Sequence, residues 1–211
     1  MEMLKEISLR LQKGDAKGVK ELVQQAIDAG IDARVVLEEG LLDGMSVIGE
    51  KFKNNEVFVP QVLIAARAMK MGVELLKPLL NAGEAGATGK VCVGTVKGDQ
   101  HDIGKNLVVM MLQGKGLEVV DLGTDVPAER FVQTAINEGC QVICLSALLS
   151  TTMEEMSNVV KAAEEAGIRD KVKIMVGGAP ITQNFCDRIG ADAYAADAAS
   201  AADAAVELLA Q

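Results

Sequence analysis

The sequence predicts an α/β protein in two parts, a helical bundle followed by a parallel sheet wrapped in helices. Three observations carry this. Residues 1–80 show only helical periodicity, and from Lys90 onward short apolar runs alternate with amphipathic segments. Between them, Asn81-Ala82-Gly83-Glu84-Ala85-Gly86-Ala87-Thr88 is small and glycine-rich, the composition of a flexible linker. The expected parts are therefore 1–80, 81–88 and 89–211. Each of the two larger parts is long enough to bury its own core.

In the first part, Met3 to Lys13 carries Leu4, Ile7, Leu9 and Leu11. Asp15 to Ala29 carries Val19, Leu22, Val23, Ala26 and Ile27 at helical spacing. Asp32 suits the N-cap of a long third helix running through Leu37, Leu41, Met45 and Ile48 to Phe52. Lys53-Asn54-Asn55-Glu56 breaks that helix. A fourth runs from about Pro60 to Leu79, with the proline tolerated in its first turn. Four helices with short connections predict an antiparallel bundle.

In the second part, the strand-like runs are Val91–Val96, Leu117–Leu122, Val142–Ala147, Val172–Val176 and Ala193–Ala196. Helices are expected near 104–115, 127–138, 153–166, 181–189 and 200–210. Five βα units imply a parallel sheet covered on both faces. The arrangement is Rossmann-like (flavodoxin-like), with expected strand order 2-1-3-4-5 and a ligand at the switch point beside the first strand.

Composition excludes several functions. A net charge of -9 opposes nucleic-acid binding, which needs clustered Lys and Arg. No apolar run spans a bilayer and the amino terminus lacks a signal-peptide pattern, so a cytoplasmic protein without membrane attachment is expected. Cys92, Cys140, Cys144 and Cys186 form no Cys-x-x-Cys pair, which disfavours zinc, iron–sulfur and disulfide frameworks. Neither a dinucleotide fingerprint nor a Walker A sequence occurs, and there is no nucleophile elbow for a serine hydrolase.

The chemistry concentrates in strand-end loops. His101, the one histidine of the chain, lies in Asp99-Gln100-His101-Asp102-Ile103-Gly104, after the first strand. A carboxylate two residues away can hold one ring nitrogen and leave the other outward, the usual support of a metal-ligating imidazole. Gly123 and Pro127 flank the loop after the second strand, where an ordinary turn with Pro127 in the helix's first turn competes equally with ligand contact. Ser146-Ala147-Leu148-Leu149-Ser150-Thr151-Thr152 follows the third strand, and its hydroxyls suit both a helix cap at Met153 and a ligand. Gly177-Gly178 follows the fourth strand and permits close backbone approach, a weak signal alone.

Taken together, Asp-x-His-x-x-Gly, the hydroxyl loop and Gly-Gly resemble the cobalamin-binding domain of methionine synthase and of methanogen and acetogen corrinoid proteins. Asp43-Gly44-Met45, the stretch from Phe52 through Pro60-Gln61-Val62, and Ala66-Arg67-Ala68-Met69-Lys70 match the helical cap of that family. The resemblance runs from about residue 4 to the end and is similar to the corrinoid proteins of methylamine, methanol and methoxy-compound methyltransferase systems.

That resemblance implies a cobalamin or related corrinoid, cycling between cob(I)alamin and methylcobalamin, with His101 bound to cobalt in place of the cofactor's own benzimidazole. It implies that Asp99 hydrogen-bonds the other ring nitrogen, and that Thr152 stands where a family serine extends the network. Asp102, Ile103, Gly104, Gly123, Ser146, Leu148, Ser150, Gly177 and Gly178 are implied to line the cofactor and its displaced nucleotide tail. Phe52, Val59 and Val62 are implied to cover the methyl-bearing face, although helical spacing alone would also make them bundle core. The implied function is a methyl carrier, a subunit rather than a complete enzyme. Its implied partners are a substrate-specific methyltransferase, an acceptor methyltransferase and a reductive activation protein. The alternative is a cobalamin-dependent sensor. Such sensors typically add a DNA-binding module and often place Trp or His over the upper face, and the helical part contains neither residue.

Overall fold

The computed structural model describes residues 2–80 and 89–210; the expected linker at 81–88 lies outside the described residues. The chain divides into two compact units, residues 1–86 and 87–211.

The first unit is helical: α1 Glu2–Gln12, α2 Ala16–Asp28, α3 Ala33–Val35, a π-helical segment Val36–Leu42, α4 Asp43–Lys53 and α5 Val59–Leu80. Two N-caps are made, the expected one at Asp32 and another at Asp15. Asp15 accepts from the Gly18 N–H at 2.9 Å, and Asp32 accepts from the Arg34 N–H at 2.8 Å. Its core includes Ile7, Leu11, Val19, Val23, Leu41, Ile48 and Leu76, and α2 packs along α5. The third helix differs from expectation, because α3 continues into α4 through wide π turns. Around that segment the helix approaches α1 closely. A Cβ on Gly40 would come within 3.2 Å of Ile7, and one on Gly44 within 3.0 Å of the Ser8 carbonyl oxygen. Such an approach is a tertiary event with no signature in hydrophobic spacing.

The second unit runs β1 Lys90–Thr95, α6 Ile103–Gly114, β2 Glu118–Asp121, α7 Ala128–Glu138, β3 Val142–Ser146, α8 Glu155–Glu165, β4 Lys173–Gly177, α9 Gln183–Ile189, β5 Ala193–Ala195 and α10 Ala198–Leu209. The five strands are parallel, in the order β2-β1-β3-β4-β5. Register fixes the site's geography. Thr95 lies beside Ser146, Ser146 beside Gly177, and Gly177 beside Ala195, so β1, β3 and β4 end in one row. Their loops leave from the same edge, as in other open α/β sheets that bind ligands there. The four cysteines are buried and free, behaving as small apolar core residues.

Several boundaries shift. Pro127 is the N-cap of α7 rather than part of its first turn. α8 begins at Glu155, not Met153, and no hydroxyl caps it. α10 begins two residues before expectation because Asp197 caps it, accepting from the Ser200 N–H at 2.9 Å.

Candidate functional site: the carboxyl edge of the sheet

Asp99 has no exposed surface, yet its carboxylate receives five hydrogen bonds. Oδ1 accepts from the His101 backbone N–H at 3.1 Å and lies 2.9 Å from the ring Nδ1. Oδ2 accepts from the backbone N–H groups of Leu148 at 2.8 Å and Leu149 at 3.3 Å, and from the Thr152 hydroxyl at 2.8 Å. Burial by itself would push this carboxyl upward. The bonds from Leu148, from the His101 backbone and ring, and from Thr152 outweigh it, holding Asp99 well below the usual carboxylate range. An ionised carboxylate only accepts, so the hydrogen between the two side chains sits on Nδ1. In the neutral ring, Nε2 is then the nitrogen with a free lone pair.

The ring lies in an open part of the molecule, and the neighbouring loops expose apolar side chains. The His101 side chain keeps 52% of its surface exposed. Ile103, Leu148 and Leu149 expose 75%, 43% and 40% of theirs. Large apolar side chains left in solvent beside a polar group mark a surface built to be covered. Gly104 adds room, since a Cβ placed there would meet nothing within 4 Å.

The other predicted residues separate by role. Thr152 is buried, and the Leu149 carbonyl oxygen, 3.0 Å from its hydroxyl, is a second acceptor sharing the one hydrogen with Asp99. Asp102 is exposed and accepts from Asn106 Nδ2 at 3.1 Å. Ser146, Gly123, Gly177 and Gly178 are half-buried and Ser150 is exposed. Gly178 is glycine for a reason internal to the fold. Its φ is +133°, and a Cβ would stand 1.8 Å from the Ala147 carbonyl oxygen. In the helical unit, Phe52 and Val59 are half-buried, while Val62 has no exposed surface and belongs to the core. Among the described residues, no group of three or more His, Cys, Asp or Glu could hold a metal ion, so His101 offers a single protein ligand.

Sequence reasoning missed three supports. Thr95, fully buried at the end of β1, donates its hydroxyl to the His101 carbonyl oxygen at 2.7 Å. A hydroxyl ending an otherwise apolar strand was the available signal. Lys105, nearly buried, is held by Asp121 at 2.6 Å and by Asn106 at 2.7 Å. Asp125 accepts from the Gly98 N–H at 2.7 Å.

The B12-binding domain family matches residues 89–206, and a second B12-binding domain family matches residues 3–77. The chain belongs to the B12-binding family. It is 42% identical to a dimethylamine corrinoid protein of Methanosarcina barkeri over 99% of this chain and 98% of that one. It is 45% identical to a trimethylamine corrinoid protein of Methanosarcina acetivorans over 85% and 84%. Among solved structures it resembles the methanol:cobalamin methyltransferase complex of Methanosarcina barkeri, with TM-score 0.89 and 33% identity over 99% of this chain and 80% of that one. A cobalamin-binding protein of Desulfitobacterium hafniense superposes with TM-score 0.81 at 29% identity, over 97% and 98%.

The cofactor of this B12-binding protein is thus a cobalamin or related corrinoid, and the edge just described fits one. A single imidazole nitrogen is what a metal already held by a macrocycle still needs. The exposed apolar collar suits the face of a large ring, and the open side of Gly104 leaves space beside it. Among the described residues, no helix is long and apolar enough to cross a membrane.

Proposed function

We propose that the protein carries a methyl group between two methyltransferases, and that His101 would be the side chain that holds the cobalt of its corrinoid. The observation that carries this reading is the Asp99–His101 pair, which holds the hydrogen on Nδ1 and leaves the Nε2 lone pair free on a half-exposed ring. Bound cobalamin supplies a cobalt centre that accepts and releases a methyl group. Asp99, Thr152 and the backbone of Leu148 keep the imidazole in one tautomer and one orientation. Asp102, Ile103, Gly104, Leu148, Gly123, Ser146, Ser150, Gly177 and Gly178 line the cofactor and its nucleotide tail. In the helical unit, Phe52, Val59 and Val62 are the residues we assign to the cofactor's methyl-bearing face.

The expected partners are a substrate-specific methyltransferase that loads the carrier, an acceptor methyltransferase that unloads it, and a reductive activation protein. Relatives named for trimethylamine and dimethylamine make methylamine methyltransferases the first loading partners to try. The test is to mix the purified protein with hydroxocobalamin, desalt, and record absorption for wild type and H101A. Near-stoichiometric retention with a histidine-ligated spectrum, lost in H101A, is the expected result. Identical spectra for the two proteins would remove His101 as the ligand.

A further inference from the structure

We propose that Asp125, on the loop after β2, is a positioning residue for His101, holding the imidazole's support although it does not touch the ring. The inference rests on the reading of His101 as the residue that would hold the corrinoid's cobalt. Asp125 has a φ of +54°, a left-handed conformation that only Asp125 and Asn55 adopt among the described non-glycine residues. That region is costly for a residue with a Cβ, and a carboxylate able to bond nearby backbone offsets the cost.

Two bonds show what the conformation achieves. The Asp125 N–H donates to the Asp99 carbonyl oxygen at 2.9 Å, and Asp125 Oδ1 accepts from the Gly98 N–H at 2.7 Å. The main chain before and after the Asp99 α-carbon is thereby tied to one residue of the neighbouring loop. Behind it the two loops are already joined. The Thr95 N–H donates to the Gly123 carbonyl oxygen at 2.9 Å, the Val126 N–H donates to that of Thr95 at 3.0 Å, and Val96 pairs with Val126.

Asp99 is consequently held from both sides. Its backbone belongs to the β2 loop through Asp125, and its carboxylate belongs to the β3 loop through Leu148, Leu149 and Thr152. An alanine at 125 loses the bond to Gly98 and has no reason to stay left-handed, so its N–H withdraws from Asp99. Oδ1 must then serve the His101 backbone and ring from a looser anchor. Asparagine keeps a carbonyl acceptor and tolerates the same φ. Glycine tolerates the φ but supplies no acceptor.

Because His101 is the one histidine in the chain, its imidazole gives a single spin system. Long-range 1H–15N spectra of the cofactor-free protein are the first readout, and absorption after loading with methylcobalamin is the second. Wild type is expected to show the Nδ1–H tautomer with a slowly exchanging proton. D125A and D125G are expected to lose that protection and lower the histidine-bound fraction by roughly tenfold, the loss of about one charge-assisted hydrogen bond. D125N is expected to stay within about twofold of wild type. If D125A fails to fold, D125G against D125N decides, because glycine removes only the acceptor. A D125G protein with wild-type tautomer, exchange and spectrum would overturn the proposal. An Nδ1–H tautomer absent from wild type itself would instead overturn the reading of His101.

Discussion

The first turn of α6, just past the β1 loop, and the loop after β4 both carry glycines at the carboxyl edge of the sheet, yet opposite physics shapes them. At Gly104 an added Cβ meets empty space; at Gly178 it collides with the Ala147 carbonyl oxygen. The first glycine leaves room for something outside the chain, and the second lets two backbone segments meet inside it. Their letters are identical in the sequence, so only packing separates an open position from one that serves the fold.

The largest expected effect lies on the fold side. G178A forces a Cβ against backbone at a φ of +133°, and should cost on the order of 4 kcal/mol of unfolding free energy without any cofactor present. Denaturant unfolding checks it; a loss below about 1 kcal/mol would erase the contrast between the two glycines. D99A comes next. It strands five donors around a buried site and should cost roughly 3 kcal/mol while abolishing the single imidazole tautomer.

The carboxylate also sets a pH signature. Its folded-state affinity for protons lies below the ordinary aspartate value of 3.8, so its stabilisation is fully present above that pH. The stability gap between wild type and D99N should therefore stay constant from neutral pH to about pH 5 and shrink as pH falls below 3.8. A gap that instead shrinks between pH 7 and pH 5 would contradict the assignment.

T152A removes the hydroxyl hydrogen shared by Asp99 and the Leu149 carbonyl oxygen and should cost about 1–2 kcal/mol, whereas T152S should stay within about 0.5 kcal/mol in chemical denaturation. G104A has the smallest effect on the fold and the opposite sign. It replaces a helical glycine and should stabilise the cofactor-free protein by about 0.5–1 kcal/mol, while retention of hydroxocobalamin after desalting falls. Unchanged retention would show that the open side of residue 104 faces no ligand.

How much of this was legible follows from which forces are local. The five strands announced themselves as apolar runs, and the order β2-β1-β3-β4-β5 followed from the βα alternation. His101 and Asp99 stood out because a lone imidazole and a carboxylate share a strand-end loop. The start of α8 was misplaced because the Thr152 hydroxyl, read as a cap, is drawn 53 residues away to Asp99. The π turns at Val36–Leu42 and the left-handed Asp125 were invisible for a similar reason. Each depends on what the folded chain brings alongside it, and neither leaves a mark in local spacing.

Three of the five donors to the Asp99 carboxylate are main-chain N–H groups, those of His101, Leu148 and Leu149. Every non-proline residue owns such a group, so their service does not depend on which side chain hangs from positions 148 and 149. Those two side chains point into solvent and are at liberty to drift, reshaping the surface offered to a ring or a partner. The acid–base state of the aspartate beneath them is insulated from that drift, so recognition can diversify here without retuning the chemistry.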